Sequence, residues 1–143
     1  MTTNELEGRE LAEAAARAMG WRIKLDDSGT EGTIFNAEGK WCGPTKSVGC
    51  YDCGNSDTGW PTEREMLAWL ADAAGKSDGD ISVVVIFSHE KSYVLFADCD
   101  REGECGVDYA YERIGMRPGF HPEDLLEALQ RLVVAVKERE KKA

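Results

Sequence analysis

The sequence predicts an α/β chain of the α+β kind. We expect a single domain spanning residues 1–143, an α/β/α sandwich with three helices and a mostly antiparallel sheet. Three observations carry this. Amphipathic stretches at helical spacing stand near the start, the middle and the end of the chain. Short β-branched or alternating runs bounded by glycine, asparagine and aspartate lie between them. Strands bracketed by amphipathic helices bury all their apolar faces only by packing in two or three layers.

The first helix is expected over about Asn4 to Met19. There Leu11, Ala14, Ala15, Ala18 and Met19 recur on one face, and Gly20 stands where a C-terminal glycine belongs. The second opens in "WPTEREMLAWLADAAG". Thr62 and Glu65 form a T-x-x-E capping box, Met66, Leu67, Leu70, Ala73 and Ala74 form the buried stripe, and Gly75 marks the end. The third opens in "HPEDLLEALQRLVVAVKERE". Pro122 suits a first turn, Glu123 and Asp124 suit the positive end of the helix, and Leu125, Leu129, Leu132, Val133 and Val136 face the core.

Strands are expected at "WRIKL", "GTIFN" and "KWC" in the first half. In the second half "ISVVVIF" reads as a central strand covered on both faces, because five of its residues in a row are apolar. "SYVLFAD" follows after the four-residue connection "SHEK", a hairpin spacing, and "VDYAYERI" supplies a further strand. An irregular loop rich in glycine and cysteine, at about 43–60, is the one long stretch without periodicity, and such loops are functional or disordered.

Composition narrows the function classes. The chain carries 27 acidic and 17 basic residues, a formal charge of −10, which opposes direct binding of nucleic acid. Its clustered cations, Arg131, Lys137, Arg139, Lys141 and Lys142, fall where they complement a helix C-terminus. Val83 to Phe87 is the longest apolar run and is too short to cross a bilayer, so no membrane association is expected. The polar, acidic start from Met1 to Glu10 has no signal-peptide pattern, and a cytoplasmic location is the expectation.

The loop begins "WCGPTKSVGCYDC", which approaches the thioredoxin signature. Thr45 stands in place of the second cysteine, and no helical stripe follows to lower the pKa of Cys42, so a redox role is not expected. The metal reading takes Cys42, Cys50 and Cys53 as three ligands of a structural zinc, with the fourth drawn from Cys99, Cys105, His89, His121 or Asp52. The competing reading, reduced and inert thiols, needs no fourth ligand. No cofactor other than that zinc is expected. "DCDREGECGVDY" matches the first half of an EF-hand loop, but Tyr109 occupies the twelfth position, where glutamate is required, so an acidic turn between strands is the plainer reading.

His89 and His121 each read as structural or solvated, and no nucleophile elbow, zincin, P-loop or dinucleotide motif occurs. We therefore expect no enzyme. Four tryptophans remain to be explained. Trp69 fits the stripe of the second helix, whereas Trp41 and Trp60 bracket the loop and could close a lid or offer a stacking surface.

"ELEGRELAEAAARAMGW" resembles the start of the phage ABA-sandwich domain proteins, on Glu10–Leu11, the alanine-rich helix and the Met19–Gly20–Trp21 ending. The resemblance implies a phage or prophage accessory protein, acting in the host cytoplasm, with no catalytic residues to carry over. Two functions follow. In the first, the chain inhibits a host defence complex, in the manner of an anti-CRISPR protein, through acidic residues such as Asp98, Asp100 and Glu102. In the second, it is a sponge for a small nucleotide signal, stacked on Trp41 or Trp60 and held by Lys40, Lys46 or Arg64. A homodimer would cover the exposed edge of a short sheet.

Overall fold

The computed structural model describes residues 8–27, 29, 32–45, 59–76, 81–98 and 110–142. Among these the fold is α+β, with three helices and two three-stranded antiparallel sheets. The chain divides between Pro61 and Thr62 into two compact units.

The N-terminal unit contains α1 (Gly8–Ala18), followed by a meander of β1 (Arg22–Leu25), β2 (Gly32–Phe35) and β3 (Trp41–Pro44) in the order β1-β2-β3. Leu11, Ala12, Ala15 and Ala16 form the buried stripe of α1. The helix ends as its glycine predicts. Gly20 takes φ 81°, its N–H donates to Arg17 O, and Trp21 N–H donates back to Ala16 O, the paired bonds of a Schellman motif. Trp21 is thereby turned inward and buried. At the β2–β3 turn the Asn36 carboxamide oxygen accepts the N–H groups of Glu38 (3.0 Å) and Lys40 (2.9 Å), which fixes where β3 begins.

The C-terminal unit contains α2 (Glu63–Lys76), β4 (Ile81–Ile86), β5 (Ser92–Asp98), β6 (Ala110–Met116) and α3 (Glu123–Lys142). The expected capping box is formed. Glu65 N–H donates to Thr62 Oγ1 at 3.2 Å, and the Glu65 carboxylate accepts Thr62 N–H at 3.1 Å. α2 continues to Lys76, through the glycine expected to stop it, because Gly75 does not take a left-handed conformation. Met66, Leu70, Leu129, Leu132 and Val133 are fully buried, so α2 and α3 contribute the expected stripes to one core, while Leu67 and Leu125 lie half-buried at its rim. α2 packs against α3 and β4, and α3 against β5 and β6.

One expectation is corrected. "ISVVVIF" does not form the central strand: the sheet order is β4-β5-β6, so β4 is an edge and β5 the centre. Three antiparallel strands paired in sequence order place the middle one of the chain in the middle of the sheet, however apolar the first is. The burial follows the order. Val94, Leu95, Phe96 and Ala97 of β5 are only 0–2% exposed on consecutive positions, so both faces of that strand are covered, whereas no residue of β4 is buried.

Candidate functional site

The two tryptophans singled out in the sequence stand at opposite ends of β3, Trp41 as its first residue and Trp60 bonded to Thr45 just past its last. Gly43 has φ 151°, a conformation that side-chain-bearing residues rarely adopt. A Cβ built on Gly59 would lie 2.6 Å from the Gly43 backbone nitrogen, so the chain can return past β3 here only as glycine. Gly59 N–H donates to Pro44 O at 2.8 Å, and the Trp60 indole N–H donates to Thr45 O at 2.9 Å. Thr45 is itself buried. Its N–H donates to Gly32 O, and its hydroxyl accepts Gly32 N–H at 2.9 Å. The segment that leaves at Thr45 and returns at Gly59 is therefore clasped at its base by two hydrogen bonds, and two more anchor Thr45 to Gly32 of β2.

That clasp gives the two tryptophans different roles. Trp60 is half-buried and its one donor is spent on Thr45, so it is a post that holds the clasp together. Trp41 is 59% exposed. It pairs with Phe35 across the sheet, and the register skips a residue between Ile34 and Phe35, leaving Cys42 as the extra residue of a β-bulge. β3 is an edge strand, so nothing in the sheet lies beyond it and the Trp41 ring faces solvent.

The other expected site residues are scattered. Cys42 lies within β3, not at a helix N-terminus, and its half-buried thiol sits 3.5 Å from Lys40 O. Among the described residues no three potential metal ligands come together, while Cys50 and Cys53 lie outside them, as does Lys46. Arg64 is exposed in the first turn of α2. Asp98 closes β5, and Asp100 and Glu102 lie outside the described residues. His89 is exposed, and His121 Nδ1 lies 3.6 Å from Glu123.

A second constellation was not singled out from the sequence. A cleft of about 500 Å³ between β6 and the start of α3 is lined by Ile114, Met116, Arg117, Asp124, Glu127 and Arg131. Arg117 grips Asp124 with two bonds, Nε to Oδ2 at 2.7 Å and Nη2 to Oδ1 at 3.1 Å, and also reaches Glu123 at 2.8 Å. The hydrogen bond and charge of the Arg117 guanidinium hold the Asp124 carboxyl below the usual carboxylate range, and Asp124 in turn raises Arg117. The Glu123 carboxyl is also held low, first by its own backbone N–H at the helix start and then by Arg117. Arg131 pairs with Glu127 at 2.7 Å. A ligand entering this cleft would have to displace an ion pair, so the arrangement reads as a tie between strand and helix. The available sequence signal was an arginine directly after a strand and seven residues before a helix-opening aspartate, a spacing with no meaning until the turn between them is known.

No protein-family model, no curated protein and no solved structure matches the chain.

Proposed function

We propose that this chain is a non-enzymatic binding protein, a phage or prophage accessory protein that inhibits a host defence complex. The observation that carries the reading is Trp41, 59% exposed on an edge strand whose base is locked by the Thr45–Gly59–Trp60 clasp. Large aromatics fixed on a rigid support are what protein interfaces use as anchors, because they bury much area at little cost in side-chain entropy. The charge of −10 supplies long-range steering towards a basic partner, such as the nucleic-acid channel of a defence complex. Asp98, Asp100 and Glu102 are the carboxylates assigned to that contact.

The test is plaque formation by a targeted phage on cells with an active CRISPR–Cas system. Expression of the chain is expected to restore plaques, and both Trp41→Ala and the triple change Asp98→Asn, Asp100→Asn, Glu102→Gln are expected to abolish the effect. Immunity unaffected by the wild-type chain would remove the anti-CRISPR reading. The exposed Trp41 ring also suits base stacking, which keeps the nucleotide sponge as the second reading. A nucleotide that co-purifies with the chain and is lost on Lys46→Ala would favour it.

A further inference from the structure

Edge strands expose unpaired N–H and C=O groups, and proteins that remain monomeric blunt them with charge, proline, glycine or a bulge. Among the described residues the two sheets have four edges, and three are blunted. β1 carries Arg22 and Lys24 in its four residues. β3 carries Gly43 and Pro44 and bulges at Cys42. β6 carries Glu112, Arg113 and Gly115, and its register skips Tyr111, which leaves a bulge there too.

β4 is the exception. Its six residues, ISVVVI, hold no charge, no proline and no glycine, and their pairing with β5 runs without a break from Ile81 to Ile86. Five of the six are isoleucine or valine, yet all five are only half-buried. The apolar surface continues beyond the end of the strand. Phe87 follows Ile86, and the ring of Phe120, 72% exposed, meets it edge-on at 5.0 Å.

We propose that β4 is the interface through which two copies of this chain form a symmetric dimer, the two β4 edges pairing antiparallel and joining two three-stranded sheets into one of six strands. A second copy is the occupant that the strand itself specifies. A two-fold axis through the middle of an antiparallel pair sets one residue opposite its own copy, so the available registers are centred on Val83 or Val84. Centred on Val84, they oppose Val83 with Val85 and Ile81 with Phe87. Centred on Val83, they oppose Ile81 with Val85 and Ser82 with Val84. Apart from the pair made by Ser82, each register sets β-branched or aromatic residues against one another, the favourable cross-strand pairs, and neither opposes like charges within the strand. Charge selects the same edge. Two copies at −10 repel, and they can approach most closely along a strand that carries none of that charge. Assembly then stops at two, because the pairing consumes the unguarded edge and the remaining edges are blunted.

The test is sedimentation velocity on the full-length chain at micromolar concentration, with the folded state of each variant checked by circular dichroism. The wild-type chain is expected to be a dimer. Val84→Lys is expected to raise the dissociation constant at least about tenfold, by opposing two ammonium groups across the axis in the Val84-centred register and by placing an ammonium group against Ser82 in the Val83-centred one. Ser82→Lys places the same charge at an already exposed position, so it decides the question if Val84→Lys does not fold. Glu112→Lys, on the opposite edge, is expected to leave the dimer intact. A wild-type monomer, assemblies larger than two, a dimer indifferent to Ser82→Lys, or one broken equally by Glu112→Lys would each overturn the proposal. The proposal does not rest on the binding reading above, and its failure would leave that reading untouched.

Discussion

Arg117 and Asp124 show how much one residue pair can hold in place. The guanidinium closes the turn between β6 and α3 by gripping the first turn of the helix, a bidentate geometry that lysine cannot reproduce. The folded-state pKa of Asp124 is depressed, so its contribution to stability is fully present above the unfolded carboxylate pKa and is lost as pH falls through the folded value. Arg117 stays charged throughout this range. Chemical denaturation from about pH 6 down to pH 2 is therefore expected to show a shallower acid-side loss of stability in Arg117→Gln than in the wild type. Parallel curves would mean that the pair is too well solvated to contribute. This constellation was not legible in the sequence, because the turn that brings residue 117 back over residue 124 is tertiary information. Trp41 and Trp60, by contrast, were legible as a pair, but not as two roles. The hydrogen bond from Trp60 to Thr45 and the exposure of Trp41 together distinguish the fixed ring from the presented one.

At the scale of elements, the helices were the most legible part. Their signals are local: a stripe every three or four residues, acidic or capping residues in the first turn and, after α1 alone, a glycine that ends the helix. α2 illustrates this, with Thr62 and Glu65 each accepting the other's backbone N–H. Thr62→Ala removes the acceptor for Glu65 N–H and is expected to cost about 1 kcal/mol in chemical denaturation. Thr62→Asn, which keeps an N-cap acceptor, should recover most of that loss. The strands were located with similar success, β5 at its observed limits and β4 to within one residue. Their order was not. Apolarity measures how much of a strand would prefer to be buried, and pairing alone decides which strand is. Putting the apolar run at the edge and "SYVLFAD" at the centre turns an expected core element into a half-buried edge strand.

For the whole molecule, net charge acts in opposite directions on the two associations proposed here. It opposes self-association and favours capture of a basic partner. Raising ionic strength screens both effects. The dimer is therefore expected to tighten as salt rises from about 50 to 500 mM, while binding to a basic partner weakens over the same range. Sedimentation and calorimetric titration across that series would measure the two slopes. Slopes of the same sign would show that one of the two contacts is not governed by the charge of the chain.

By itself the sequence determined the α+β class, the positions of the three helices, the antiparallel character of the strands and the acidity of the surface. Each of these depends on residues close together in the chain or on composition alone. The tertiary structure decided the division of six strands into two sheets, the exposure of β4, the clasp at Thr45 and the cleft at Arg117. These depend on which distant segments meet. Many pairings satisfy the same local pattern of burial, and the choice among them is made by turn geometry, by glycines where two backbones touch and by charges that find each other only after folding.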